Sequence, residues 1–163
     1  MLKRYWYLFF VPLVLFGVLF LVARRLVAQR SELPEAVVAR GIVNGRLTAC
    51  PDSPNCVSTQ DTDATHGMDV LPLGADIDAA RADINQILRE MPGVTFVTVN
   101  PDYIHAEFRS PFWGFVDDVE FQFDVENAAI HFRSASRLGY GDMGANRKRM
   151  ETIREQYLSE IER

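Results

Sequence analysis

Residues able to exchange protons or hold charge recur at every second position in three stretches of this chain. Tyr103, His105, Glu107 and Arg109 alternate in the first, Asp118 and Glu120 in the second, His131 and Arg133 in the third. If each stretch is an extended strand, the alternation places all of them on one face of a sheet. Two histidines among several carboxylates could bind a metal or move protons, and His105 with Asp118 or Glu120 is the pair suited to general acid/base work. A solvated sheet face whose opposite charges pair across strands would look the same. No nucleophile accompanies them: Ser53, Ser58 and Ser134 lack the G-x-S-x-G context that activates a hydrolase serine. No reaction is assigned on these residues.

A second cluster is RSASRLGYGDMGANRKRM, residues 133–150, with four arginines, one lysine and three glycines. Arg133, Arg137, Asn146, Arg147 and Arg149 could together hold a small anion or a lipid headgroup. The segment GYGDMG has the glycine spacing of a dinucleotide loop, but Asp142 inside it would repel a phosphate and no second βαβ unit follows. No nucleotide is expected. Asp142 reads instead as a helix cap or turn residue, with the glycines relieving a tight strand-to-helix turn. The stretch is read mainly as a bolt that fastens the last helix, and its counterpart lies in FVDDVEFQFDV, residues 115–125. There Asp117 falls in register with Phe115, Val119, Phe121 and Phe123. A carboxylate on an apolar face needs a cation or several donors. Arg147, beside the stripe of the last helix that points at the sheet, is the expected partner of Asp117.

Positioning these residues takes an α+β layer architecture. Ile77, Ala80, Ile84, Ile87, Leu88 and Met91 form one helical stripe, which Asp76 can cap and Pro92 and Gly93 end. Four strand-like runs follow, at residues 94–99, 102–110, 115–125 and 129–136, and the connections NPD and ENA are short enough for antiparallel hairpins. Met143, Asn146, Met150, Ile153, Tyr157 and Ile161 form the stripe of a final helix. The expected soluble domain, residues 47–163, is a four-stranded antiparallel sheet covered on one face by two helices. SPFWGF, residues 110–115, puts Phe112 and Trp113 at a hairpin turn, either as core or as a contact with a bilayer or a membrane partner.

Residues 5–23 carry no charge and are flanked by Lys3 and Arg4 on one side and Arg24 and Arg25 on the other. A helix of that length, at about 1.5 Å per residue, nearly spans a ~30 Å hydrocarbon core. Residues 1–30 are read as a single-pass transmembrane anchor with basic flanks, and residues 31–46 as a tether. A cleaved signal peptide is the other reading, but the apolar run is long for one and no A-x-A site follows it. Five of the 17 basic residues and none of the 22 acidic ones precede Ser31, so the rest of the chain is strongly acidic. Such a body is repelled by nucleic acid, which is not an expected partner.

Cys50 and Cys56, in CPDSPNC, are the only cysteines, and Pro51, Asp52, Ser53, Pro54 and Asn55 favour a compact loop between them. A disulfide is favoured over two free thiols or a metal site, and it needs an oxidising compartment. That places the domain on the periplasmic side of a bacterial inner membrane, although the basic residues after the apolar run lean the other way.

CPDSPNCVST, DDVEF and RSASRLGYGDMGANRKRMETIR together resemble the bacterial and plastid family called domain of unknown function 1499. The resemblance covers most of the part after the apolar run. It implies a membrane-anchored or exported protein and brings no established activity. The expected function is that of a membrane-anchored accessory or binding module of the cell envelope, supporting a membrane protein complex or an envelope component, without a cofactor or a metal. The alternative is an enzyme, or a metal- or anion-binding protein, using the face of His105, Glu107, Asp118, Glu120 and His131.

Overall fold

The computed structural model of the chain describes residues 7–32 and 40–162. Helix α1 (Tyr7–Ser31) comes first, and its residues Leu8–Ser31 are long and apolar enough to cross a membrane. A small hairpin follows, β1 (Ile42–Val43) and β2 (Arg46–Leu47), joined by Asn44 and Gly45. Both turn residues take left-handed φ angles, 52° and 78°, as the tightest hairpin turns require.

The main sheet is built from β3 (Cys56–Ser58), β4 (Leu71–Pro72), β5 (Val94–Val99), β6 (Tyr103–Arg109), β7 (Val116–Asp124) and β8 (Ala129–Ser136). Helix α2 (Ile77–Glu90) precedes β5 and α3 (Ala145–Ile161) follows β8. The order across the sheet is β3-β8-β7-β6-β5, with β4 also pairing β8, and every pair is antiparallel. The four long runs expected from the sequence are therefore strands, but the sheet has six strands, not four. The two extra ones are two or three residues long, too short to carry a readable alternation, and both lie along β8.

The apolar parity of these strands assembles the core. Ile104, Ala106 and Phe108 of β6, Val119, Phe121 and Phe123 of β7, and Ile130 and Phe132 of β8 meet Ala80, Ile84, Ile87 and Leu88 of α2 and Met150, Ile153 and Tyr157 of α3. Asp76 caps α2 by accepting from the N–H groups of Asp78 and Ala79. On α3 the buried stripe begins at Asn146, because Met143 precedes the helix in a left-handed conformation and is fully exposed. Gly93 turns the chain from α2 into β5 where no side chain fits: a Cβ there would stand 2.4 Å from the carbonyl oxygen of Arg109.

The opposite face of the sheet is covered as well. Residues 40–50 cross it as a strap, and eight successive residues of β7 are buried in consequence. The part read from the sequence as tether thus contributes, from Arg40 to Arg46, side chains and a hairpin to the fold. Gln122 donates to the carbonyl of Gly45, Leu47 N–H to Gln60 Oε1, and Cys50 N–H to Asp61. Cys50 and Cys56 are joined by a disulfide, which staples the end of the strap to β3.

Closing a loop this short stabilises a fold by about 2 kcal/mol in the chain-entropy model. The Cys50→Ser, Cys56→Ser double variant should lose about that much in urea unfolding. Hydrogen exchange should speed up first at the amides of residues 41–50 and leave those of β6 and β7 protected.

Candidate functional site

Under the strap, the side chains of alternate strand residues form a layer of charges. Register puts Glu120 between His105 and Arg133, and Asp118 between Glu107 and Ala135. The Asp118 side chain is 1% exposed and is held from three directions. Arg40 of the strap reaches it at 2.7 Å, His105 Nε2 of β6 at 2.7 Å, and Arg137, just past β8, grips both oxygens at 2.8 Å. Arg137 also donates to Glu107 and to the backbone carbonyl of Ser31 at the end of α1. Glu120, fully buried, accepts from Gly41 N–H at 2.6 Å, Tyr103 Oη at 2.6 Å and Arg133 Nη1 at 3.0 Å.

Burial alone would raise the Asp118 pKa. The hydrogen bonds from Arg137 and His105, with the charges of Arg137 and Arg40, outweigh it and hold the carboxyl well below its usual range. Burial and the bond to Glu120 push the Tyr103 hydroxyl far up, so it serves as a neutral donor. The bond to Asp118 raises Arg137 further still. Arg133 is fully buried, and its Nε and Nη2 bond to no described residue.

His131 shares this face but not this cluster. It sits opposite Gln122, with Nδ1 3.2 Å from Thr59 Oγ1 and Nε2 3.8 Å from Asp124, and burial lowers its pKa. Among the described residues, no three His, Cys, Asp or Glu side chains are placed to share a metal ion.

The five anion-binding candidates are not brought together either. Arg133 and Arg137 point under the strap, while Asn146 and Arg149 lie on the helix face of the same sheet. Arg147 runs outward to the carbonyls of Thr65 and Gly67. The pairing expected for Asp117 is corrected accordingly: its partner is Arg149, at 2.6 Å, and not Arg147. Arg149 also stacks on the Phe108 ring and donates to Ser134 and Asn146. Buried Asn146 completes this second network through Ser136, the carbonyl of Asn55 and Asp142. The N-cap position of α3 is Gly144, so Asp142 is not the cap but the turn residue two places before it, its Oδ1 accepting from Gly144 N–H and its Oδ2 from Asn146 N–H.

Residues 46–157 match the family described as Protein of unknown function (DUF1499). The chain belongs to this family. No curated protein and no solved structure matches it. The family match includes all of the charged layer except Arg40, Gly41 and the end of α1.

Those three contributions were missed from the sequence. Arg40 and Gly41 fall in a segment without periodicity, yet the Asn44-Gly45 dipeptide after them is a hairpin signal that could have drawn the strap into the fold.

Two consequences are measurable. The folded pKa of Asp118 lies below the unfolded value of about 3.9, so its contribution to stability is complete above that pH and drains away as pH falls through the folded pKa. Asp118→Asn should be about 3–5 kcal/mol less stable at neutral pH, since it leaves buried cations unpaired. It should also lose part of the parent's decline below about pH 4, read from urea midpoints across pH. On the helix face, a double-mutant cycle of Asp117→Asn and Arg149→Met should show coupling of about 0.5–3 kcal/mol. The same cycle with Arg147→Met should be additive, because Arg147 bonds backbone carbonyls elsewhere.

Proposed function

We propose that this chain is a membrane-anchored accessory or binding module of the cell envelope, not an enzyme working from its charged face. The observation that carries this reading is the occupancy of that face. An acid/base pair has to meet its substrate, whereas the oxygens of Asp118 are taken by Arg40, His105 and Arg137, and those of Glu120 by Gly41, Tyr103 and Arg133. A layer of matched charges sealed by a strap specifies a fold. What remains for function is the outer surface, and with it a protein partner in or at the membrane.

The length and apolar character of α1 support an anchor in the bacterial inner membrane. The Cys50–Cys56 bond supports a periplasmic position for the domain, since such bonds persist in oxidising compartments.

A second reading has one observation in its favour. Nε and Nη2 of Arg133, which have no partner among the described residues, form the forked edge of the guanidinium that grips oxyanions in two parallel hydrogen bonds. A small anion under the strap would satisfy both.

Affinity purification of the full chain from gently solubilised membranes separates the two readings. Recovery of an envelope or membrane protein in a fixed ratio is expected. Recovery of the chain without protein but with an anion released on denaturation would replace the first reading with the second.

A further inference from the structure

The connection between β6 and β7, residues 110–115, ends in Phe112 and Trp113, which are 60% and 40% exposed although both are large and apolar. They do not stand alone. Both rings lie against Phe20 of α1, at centroid distances of 4.8 and 5.4 Å, and against each other edge-on. Below them Gly114 passes close to Ala28, where an added Cβ would be 3.5 Å from the alanine methyl, and Arg109 pairs with Glu32. Gly17, Phe20, Ala23, Val27 and Ala28 are the partly shielded residues of α1, and Ser31 is buried. Their spacing is one stripe of a helix, so the hairpin runs back along α1 from its C-terminal end.

The depth of the tip follows from the helix rise. Phe20 lies four residues before Arg24, about 6 Å further into the apolar run than the first charge at about 1.5 Å per residue. The aromatic pair, in contact with Phe20, has thus passed the level of Arg24 and Arg25, and Phe16 and Leu19 further along α1 are exposed apolar side chains. The charged pair Arg109–Glu32 remains above that level. Aromatic rings just inside a ring of basic residues occupy the depth where tryptophan is enriched in membrane proteins.

We infer that the Phe112–Trp113 tip is a second membrane contact, inserted into the lipid at the boundary of headgroups and acyl chains beside α1. The occupant is lipid because the tip is continuous with the lipid-facing surface of α1 itself. The inference rests on α1 being embedded, and the domain is then held against the bilayer at two points.

The chain has two tryptophans, Trp6 in the apolar run and Trp113 in the tip, so two single-tryptophan chains test the points separately. Trp6→Phe leaves Trp113 as the reporter, and Trp113→Phe leaves Trp6. Each is reconstituted in phosphatidylcholine vesicles brominated either near the carbonyl end or near the terminus of the acyl chain. Trp113 emission should be quenched by both lipids, more strongly by the bromine near the carbonyl end, and should resist aqueous iodide. If Trp6 is quenched by brominated lipid while Trp113 is quenched only by iodide, the anchor stands and the inserted tip is overturned. A Trp113 insensitive to both quenchers is buried by protein, which also overturns it. If neither tryptophan responds to brominated lipid, α1 is not embedded and both readings fail together.

Discussion

The bond between Asp118 and Arg137 is the constraint on which the other parts converge. A carboxylate with 1% exposure cannot stay ionised without donors on every open side, and no single element of this fold supplies them all. β6 brings His105, the strap brings Arg40, and the chain leaving β8 brings Arg137, which carries on to Glu107 and to the carbonyl of Ser31. Buried ion pairs add little net stability, because desolvation of the two charges offsets most of their attraction. Their stronger effect is on alternatives. A one-residue slip of β7 would turn Asp118 and Glu120 into the apolar core and Val119 out under the strap, at a large cost on both faces.

The three stretches that carried the family resemblance meet in this arrangement. Strand parity sends Arg133 and Arg137 under the strap, and sends Ser134 and Ser136 to Asn146 on the other face. Asp117 and Asp118, neighbours in sequence, likewise serve opposite layers, one bonded to Arg149 and the other to Arg137. Asn55 joins both ends of this knot. Its side chain donates to the carbonyl of Gly139, its carbonyl accepts from Asn146, and Cys56 beside it holds the strap. Three polypeptide segments approach closely enough there for short side chains to bridge them: Ser134 and Ser136 bond the Asn146 side chain, while the side-chain amides of Asn55 and Asn146 donate to backbone carbonyls.

Periodicity was enough to find the two covering helices, the four long strands and the common face of His105, Glu107, Asp118, Glu120 and Arg133. It could not show that this face is buried. Burial there depends on residues 40–50, whose only local signal is the Asn44-Gly45 turn, and on two strands too short to alternate. The choice between Arg147 and Arg149 was beyond it for another reason. The two flank the buried stripe of α3 on opposite sides, so helical phase ranks them nearly equal. Which side meets Asp117 is decided by how α3 lies across β8, a tertiary fact that no stretch of sequence states by itself. The edge of Arg133 that meets no partner among the described residues is of the same kind, since it is recognised only once its neighbours are in place.

The end of α1 is joined to the charged layer in a way that makes helix and domain one mechanical unit. Ser31 is fully buried, bonds its own helix through Val27, and gives its carbonyl to Arg137. Glu32 lies between Arg109 and Arg137. The guanidinium that neutralises Asp118 therefore also fixes the last turn of α1. Rotation or withdrawal of that helix relative to the sheet takes acceptors from Arg137, while Asp118 keeps only Arg40 and His105 to compensate any movement of that side chain. Since a half-satisfied buried network is less stable than either a complete one or none, the layer resists such motion instead of following it. This stiffness fixes which face of the acidic domain lies toward the apolar length of α1 and which lies away from it.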